Sequence, residues 1–334
     1  MIFKPDKNYK NPLSVLETNI GIKLAKDTFE NRLSSLLDIT RVSAPIFVNP
    51  NTGLNDNLNG VERPVSFEIK SLNETAEIVH SLAKWKRMAL GKYGFPINTG
   101  LYTDMNAIRR DEDLDNLHSI YVDQWDWERV IDYQDRNIDY LKEVVKKIVR
   151  ALVETKTIIN KRFPMLQLSF KEDVYFITSE ELLQRYPDLS PKERENAICK
   201  EYQTVFIIGI GEKLSNGESH DLRAPDYDDW ALNGDLLVWY EPLQMAIELS
   251  SMGIRVDKNS LYDQLVKSNN IDRLNYQYHQ DILNDQLPLT IGGGIGQSRL
   301  CLIMLEKIHI GEVQVSIWSE EDLQELKKLG INIL

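Results

Sequence analysis

Apolar residues recur every three to four positions in several stretches of the chain, a spacing that predicts amphipathic helices. The first helix is expected to begin at Asn11–Pro12, because an N-cap residue followed by proline is typical of a helix start. Another is expected at Ser190–Pro191, where Glu193 completes a capping box. The helices predicted in this way cover residues 11–37, 78–95, 138–163, 190–202, 258–285, 299–305 and 319–330.

Alternating or continuous apolar runs between these helices predict strands. One run contains Pro45, and since proline cannot donate to a sheet ladder, its strand is expected at an edge or an interface. No linker or repeat divides the chain, so residues 1–334 are expected to form one α+β domain. The predicted strands cover residues 41–49, 65–72, 102–108, 118–128, 174–178, 204–211, 235–240, 245–250, 287–291 and 312–318.

The strand at residues 118–128 carries polar groups on both of its faces. Alternation with a period of two puts Gln124, Asp126 and Glu128 on one face. The opposite face carries Tyr121, Asp123, Trp125 and Trp127. A ligand pocket would explain one of these two polar faces.

The strand at residues 245–250 contains Glu248 in an otherwise apolar run. Alternation predicts that Glu248 and Ser250 share one face. A glutamate inside an apolar strand costs free energy unless it is paired or binds a metal. Beyond the strand, Gly253 keeps Arg255 close to this position.

Residues 287–305 join an apolar strand, a glycine run and an apolar helix. Glycines 292, 293, 294 and 296 would permit a positive φ, or the close approach of a ligand to bare main chain. No Gly-Lys-Ser/Thr follows, so the run is not a P-loop. Gln297 and Arg299 stand where a dinucleotide fingerprint needs its last glycine. Two interpretations stay open, a ligand site and a tight strand-to-helix turn.

Two loops carry polar side chains. Residues 211–230 include Pro225 and Tyr227 among many charges, a combination that suits an ordered lid over a charged substrate. Residues 49–60 contain a single acid, Asp56, and are typical of a solvated connection. The charged residues of the first loop are His220, Asp221, Arg223, Asp226, Asp228 and Asp229.

Lys84 and Lys86 lie on separate faces of the helix predicted at residues 78–95. Lysines on a helix are usually solvated, and that is the expectation for both.

The composition excludes several classes of protein. A hydrophobic content of 42% in 334 residues allows a sizeable core, and no run of 18 apolar residues predicts a membrane span. A net charge of −12 argues against a broad nucleic-acid surface. Cys199 and Cys301 lack metal-ligand spacing and are expected to be structural thiols in a reducing cytoplasm. The N-terminal residues do not resemble a secretory signal.

Parts of the chain resemble the three signature motifs of class II aminoacyl-tRNA synthetases. The first helix and the Pro45 strand resemble motif one, which makes the homodimer contact. Arg109, in a charged loop between two antiparallel strands, resembles motif two, and the glycine run with Arg299 resembles motif three. Longer runs resemble one related family, the ammonia-dependent asparagine synthetases or aspartate–ammonia ligases. These runs are SLAKWKR (81–87), YVDQWDWE (121–128), RAPDYDDW (223–230), NGDLLVW (233–239), ELSSMGIR (248–255) and TIGGGIGQSRL (290–300).

The resemblance implies an antiparallel sheet flanked by helices, working as a cytoplasmic homodimer that binds neither nucleic acid nor a membrane. The implied reaction joins L-aspartate and ammonia to give L-asparagine, with ATP cleaved to AMP and pyrophosphate in the presence of Mg²⁺. A carboxylate repels nucleophiles, and transfer of AMP to it removes the charge and supplies a leaving group.

The resemblance also implies roles for the nucleotide-binding residues. Arg109 would stabilise the α-phosphate, with the adjacent Arg110 as the alternative, and Arg299 would stack on adenine. Arg223 would meet the outer phosphates. Gly292 and Gly294 would let the nucleotide approach the main chain, and Asp235 and Glu248 would hold Mg²⁺.

The remaining implied roles concern aspartate and ammonia. The aspartate-binding residues would be Ser81, Lys86, Gln124, Ser250, Ser251 and Arg255, with the arginine fork gripping a carboxylate. Asp56, Asp126 and Asp228 would address the α-amino group or the incoming ammonia, and which of them accepts the ammonia proton stays open.

Three other interpretations compete with this one. A glutamine-dependent synthetase would need a nucleophilic cysteine, often at the mature N-terminus, but residue 2 is Ile2. A complete aspartyl- or asparaginyl-tRNA synthetase would carry an anticodon-binding domain, for which a first helix near residue 12 is expected to leave no room. A non-catalytic binding subunit would be expected to have lost at least one of Arg109, Glu248, Arg255 and Arg299, and all four are present.

Overall fold

The computed structural model describes residues 9, 12–55 and 62–334. Its helices are α1 (Val15–Leu37), α2 (Ala83–Tyr93), α3 (Ile138–Arg162), α4 (Ser179–Arg185), α5 (Pro191–Tyr202), α6 (Lys258–Lys267), α7 (Gln277–Leu283), α8 (Gln297–Met304) and α9 (Glu320–Lys328). Its strands are β1 (Ile39–Arg41), β2 (Phe47–Val48), β3 (Ser66–Ile69), β4 (Glu74–Ile78), β5 (Gly100–Ile108), β6 (Tyr121–Val130), β7 (Tyr175–Thr178), β8 (Thr204–Ile208), β9 (Asp228–Tyr240), β10 (Met245–Arg255) and β11 (Thr290–Gly296).

A large sheet organises the molecule, with strand order β1-β5-β6-β11-β10-β9-β8-β7. In the run β5-β6-β11-β10-β9-β8, each strand is antiparallel to its neighbours. A parallel strand lies at each edge, β1 beside β5 and β7 beside β8. A small sheet, β2-β4-β3, lies apart from it. The predicted class, an antiparallel sheet flanked by helices, is confirmed.

The two faces of the large sheet differ in character. Helices α1, α3 and α8 pack against one face, where Trp125 and Trp127 of β6 are fully buried in the main core. On the opposite face, Gln124 and Asp126 line a cavity and Glu128 lies buried beside it. The alternation predicted for this strand is confirmed.

The glycine run forms strand β11 itself. Gly294 pairs with Asp126 of β6 on one side and with Ser251 of β10 on the other. No glycine of β11 has a positive φ, so the interpretation as a turn is wrong. Close approach is the reason for glycine here, because a Cβ at Gly294 would lie 2.5 Å from Oε1 of Gln124.

The strand predicted around Pro45 is interrupted. β1 ends at Arg41 and β2 begins at Phe47, and Pro45 lies in the link between them. Proline lacks the N–H that a ladder needs, so the chain leaves the sheet at this point. An edge position is confirmed for β1, but a continuous strand at residues 41–49 is wrong.

Two helix starts differ from the predictions. α1 begins at Val15, with Ser14 as the N-cap residue of a capping box, and Asn11 lies outside the described residues. α2 begins only at Ala83, because residues 74–78 form strand β4 against β3.

The terminal strand predicted at residues 312–318 is also wrong. Residues 310–312 form a 3-10 turn, and residues 313–318 belong to no strand of the two sheets.

Among the helices that the structure describes, none is both long and apolar enough to cross a membrane.

Candidate active site

A cavity of about 450 Å³ lies on the face of the large sheet away from α1 and α3. Its floor comes from four neighbouring strands, β6, β11, β10 and β9, and its sides from the start of α2 and from the loops at residues 109–119 and 221–227. Residues far apart in sequence therefore meet there. The predicted residues that line it are Ser81, Lys86, Arg109, Gln124, Asp126, Arg223, Asp228, Asp235, Glu248, Ser251, Arg255, Gly294 and Arg299.

Ser250 does not line the cavity, because β10 contains a bulge. The register with β9 shifts between Glu248 and Ser250, which makes Leu249 an extra residue. Past the bulge, Ser251 shares the cavity with Glu248. Ser250 is buried, and its hydroxyl donates to the Gly294 carbonyl at 3.0 Å. The expectation that Glu248 and Ser250 share a face is wrong.

Gly292 lies beside the cavity, where it makes room for a buried ion pair. A Cβ at this position would lie 2.0 Å from Oε2 of Glu128 and 2.6 Å from Nη2 of Arg255. In the space left free, Nε and Nη2 of Arg255 donate to Glu128 at 3.0 and 2.7 Å, and the Thr290 hydroxyl donates to Glu128 at 2.7 Å. The ion pair thus occupies the space that was predicted to admit a nucleotide.

Arg255 is held between two carboxylates, since its Nη1 donates to Asp228. Burial raises the pKa of Glu128, but Arg255 outweighs this effect and holds that pKa below its usual value. Arginine has five N–H groups, and these contacts use three, so two remain for a ligand. The guanidinium is therefore fixed in orientation and still able to bind a carboxylate.

Lys86 and Asp126 form a second buried pair on the cavity wall. Nζ of Lys86 donates to the Gly293 carbonyl at 2.9 Å and lies 3.2 Å from Oδ2 of Asp126. Burial lowers the pKa of Lys86, and Asp126 opposes that shift. Oδ1 of Asp126 is buried and has no hydrogen-bond partner among the described residues. The expectation of solvated lysines is wrong, because Lys84 is buried as well.

Arg223 reaches from its loop into an acidic part of the cavity. It donates to Asp235 and to the Ser251 hydroxyl, and its Nε lies 4.0 Å from Asp228. Burial raises the pKa of Asp235 to about 7, with Arg223 opposing and Glu248 adding to the shift. A carboxyl group with so high a pKa lies where additional positive charge is favoured.

The acidic pair Asp235 and Glu248 suits Mg²⁺, which prefers oxygen ligands. No described group of three His, Cys, Asp or Glu residues could enclose a metal by itself. Mg²⁺ commonly takes one or two carboxylates and completes its shell with phosphate oxygens and water. The donor set therefore fits an ion brought by a nucleotide.

Two arginines lie on the loop at one end of the cavity. Arg109 lies 3.8 Å from Glu112, and its buried Nε has no partner in the described part of the chain. The more exposed Arg110 also lines the cavity, so both candidates for the phosphate arginine are present. Arg299 also lines the cavity, and its Nη1 donates to the Glu248 carbonyl at 2.9 Å.

The segment at residues 221–228 is ordered by a buried anchor. Oδ2 of Asp226 lies 3.3 Å from Nζ of Lys84, 2.9 Å from Nη1 of Arg273 and 3.0 Å from Nε2 of His279. Asp226 is therefore a structural residue of the predicted lid. Asp56, the last predicted site residue, lies outside the described residues.

Sequence reasoning missed several residues that line the cavity or support it. Glu128 received no role, because alternation shows a face and not a partner 127 positions away. Ser119 and Gln314 also line the cavity, and Gln314 lies in the segment wrongly predicted as a strand. No signal in the sequence connects these two positions.

The fold matches solved synthetase structures. One is Entamoeba histolytica asparaginyl-tRNA synthetase in complex with asparaginyl-adenylate, with a TM-score of 0.64 and 14% identity over 90% of this chain and 66% of that chain. Another is asparaginyl-tRNA synthetase from Pyrococcus horikoshii complexed with asparaginyl-adenylate, with a TM-score of 0.61 and 17% identity over 89% of this chain and 68% of that chain. The sheet and its cavity thus define a protein of the class II aminoacyl-tRNA synthetase fold.

Sequence comparison then identifies the family. A family model described as aspartate-ammonia ligase matches residues 16–330. The aspartate–ammonia ligase of Clostridium tetani is 58% identical over 98% of this chain and 96% of the relative. That of Ruminiclostridium cellulolyticum is 54% identical over the whole of this chain and 99% of the relative. The chain belongs to the aspartate–ammonia ligase family, as predicted.

Proposed function

We propose that this enzyme makes L-asparagine from L-aspartate and ammonia, with ATP cleaved to AMP and pyrophosphate through a β-aspartyl-adenylate. The observation that carries this proposal is the cavity. It combines a fixed arginine–lysine pair, Arg255 and Lys86, with buried carboxylates at one part and the acidic pair Asp235 and Glu248 at another. Family membership supplies the reaction, and the cavity offers matching charges for each reactant.

At the amino-acid part of the site, Arg255 and Lys86 bind the carboxylates of aspartate. The two free N–H groups of Arg255 suit a bidentate contact, and Glu128 and Asp228 prevent the guanidinium from turning away. Ser81, Gln124 and Ser251 add polar contacts from the cavity wall. Ser250 supports the floor through its bond to Gly294.

At the nucleotide part, Arg109 or Arg110 stabilises the charge that develops on the α-phosphate, and Arg299 stacks on adenine. Asp235 and Glu248 would hold Mg²⁺, which would supply positive charge to offset that of the phosphates. Arg223, which donates to Asp235, would contact the outer phosphates.

Ammonia is mostly ammonium at neutral pH and must lose a proton to become a nucleophile. Oδ1 of Asp126 has no partner among the described residues, so this carboxylate can bind an ammonium group, either that of the substrate or the incoming one. Asp228 is engaged by Arg255, and Asp56 is a third candidate by family resemblance.

The decisive experiment measures AMP, pyrophosphate and asparagine from purified protein with ATP, Mg²⁺ and L-aspartate, without tRNA. We expect all three products in equal amounts, and only when ammonium chloride is present. Glutamine in place of ammonium should give no asparagine. Intact ATP under every condition, in protein shown to be folded, would refute the proposal and favour a binding subunit.

We also propose that the protein is a homodimer in the cytoplasm, on the basis of family resemblance at the Pro45 segment. This segment carries two partly exposed apolar side chains, Ile46 and Phe47.

A further inference from the structure

We propose that Gln314 selects adenine over purine bases that carry a 6-oxo group, by presenting a hydrogen-bond acceptor at one corner of the cavity. The proposal rests on the proposed function, in which the base of ATP lies beside Arg299. Gln314 would accept a hydrogen bond from the base, and Asp123 would fix the orientation of the Gln314 amide.

The corner is formed where two distant segments meet. Asn116, in the loop after β5, donates to the Ile308 carbonyl at 2.7 Å and accepts from the Ile310 amide at 2.7 Å. These bonds bring the loop at residues 109–119 against the segment at residues 308–314. The residues of this corner that line the cavity are Leu117, Ser119, Ser298, Arg299, Ile310 and Gln314.

This corner suits a nucleobase better than a phosphate or an amino acid. Leu117 and Ile310 supply apolar walls. Asp123, the carboxylate nearest the corner, is already engaged by the Ser298 amide at 2.9 Å and by Lys26 at 2.9 Å. The base is the flat and uncharged part of ATP, and the phosphates would face the arginines and acids elsewhere in the cavity.

The amide of Gln314 can point in only one direction. Its Nε2 lies 2.9 Å from the Ser298 hydroxyl and 3.4 Å from Oδ1 of Asp123. A carboxylate only accepts hydrogen bonds, so the NH₂ end must face Asp123. Oε1 therefore faces the opposite way, toward the Ser119 hydroxyl.

The Ser119 hydroxyl is one donor placed between two acceptors. Its hydroxyl contacts both Oε1 of Gln314 and the Tyr121 carbonyl, the latter at 2.6 Å. A hydroxyl carries one proton and can serve one of these acceptors at a time. One acceptor is thus left for a ligand that brings a donor.

Adenine and hypoxanthine differ in whether the 6-position carries a hydrogen-bond donor or an acceptor. Adenine carries an amino donor at its 6-position, whereas guanine and hypoxanthine carry an oxo acceptor there. An oxo group would face a second acceptor, and both would lose their hydrogen bonds to water without replacement. A site built for a donor rejects such an analogue strongly.

The test compares the binding of ATP and inosine triphosphate (ITP) by equilibrium dialysis, without aspartate or ammonia. We expect the wild-type protein to bind ATP at least about tenfold more tightly than ITP. Gln314→Met keeps the length of the side chain, removes the acceptor and should reduce this ratio by about tenfold. Ser119→Ala serves as a second variant and should increase the preference for ATP or leave it unchanged, because both acceptors then lack the hydroxyl.

Gln297→Met is the matched control. Gln297 is also buried at the start of α8, but it bonds to Asp104 at 2.8 Å and does not line the cavity. Its ATP-to-ITP ratio should match that of the wild type. Equal binding of ATP and ITP by the wild type, or an unchanged ratio in Gln314→Met, would overturn the proposal. Absence of asparagine synthesis in a protein that prefers ATP would instead count against the proposed function.

Discussion

At Gly292, the absence of a side chain decides how Arg255, a charged group on the adjacent strand β10, is held. The carboxylate of Glu128 occupies the place where a Cβ would be, and the orientation of Arg255 depends on that carboxylate. The glycine is thus required by a neighbour within the sheet.

We predict that Gly292→Ala lowers the free energy of unfolding by about 1–3 kcal/mol, the usual cost of overpacking. It should also raise KM for aspartate, because the displaced Glu128 releases Arg255. Gly296→Ala, on the same strand, has its nearest contact at 3.3 Å and should cost less stability. Urea unfolding of both variants checks this, and equal losses would contradict it.

Asp235 illustrates a carboxylate whose charge costs stability in the ligand-free protein. Its pKa of about 7 lies above the ordinary 3.8, so the folded state retains a proton that the unfolded state has released. Stability from this group is therefore lost as the pH rises from about 4 to about 7.

We predict that Asp235→Asn, which stays neutral, makes the ligand-free protein more stable than the wild type at pH 8. The difference should vanish toward pH 4, and turnover with Mg²⁺ and ATP should be lost at every pH. Unfolding measured across this pH range checks the sign. A variant less stable than the wild type at pH 8 would show that the bond to Arg223 outweighs the cost of the charge.

At the scale of elements, the segment at residues 221–228 depends on the anchor at Asp226. Burial raises the pKa of this carboxyl group, but Lys84, His279 and Arg273 outweigh burial and hold the pKa well below its usual range. The resulting stabilisation is present above the ordinary aspartate pKa of about 4 and is lost as the pH falls.

We expect Asp226→Asn to cost about 3–5 kcal/mol of stability near pH 7, because it leaves buried cations without their partner. KM for ATP should rise, since Arg223 sits on the loosened segment. The exposed Asp263→Asn on α6 is the control and should stay within about 0.5 kcal/mol of the wild type. Chemical denaturation of the two variants checks this prediction. Equal stability of the two variants would show that the contacts of Asp226 are dispensable.

Elements that follow a local rule could be predicted from the sequence. α5 lies where the Ser190 capping box placed it, and β6 has the predicted faces. The bulge at Leu249 and the ion pair at Gly292 could not be predicted, because both depend on strands that are distant in sequence. The same limit explains why alternation predicts a shared face for Glu248 and Ser250, whereas the structure brings Ser251 to the cavity beside Glu248.

At the scale of the whole molecule, the proposed dimer can be tested at the Pro45 segment. Ile46 is 53% exposed, and Ile46→Asp would place a charge at the proposed contact. We predict a particle of twice the 38.6 kDa chain mass for the wild type and of one chain mass for the variant. Leu72→Asp, at a 62% exposed position between β3 and β4, is the control and should remain dimeric. Light scattering after gel filtration gives both masses, and a monomeric wild type would rule out the proposed dimer.

The position of β11 in the sheet has a consequence for synthesis on the ribosome. This strand is the last of the sheet to be translated, yet it lies between β6 and β10 near the centre. Until it emerges, both neighbours have an unpaired edge, and such edges can pair with other chains. The sheet can therefore close only after about nine-tenths of the 334 residues have been translated, because β11 ends at Gly296. Chaperone demand and aggregation during expression should accordingly peak late in elongation.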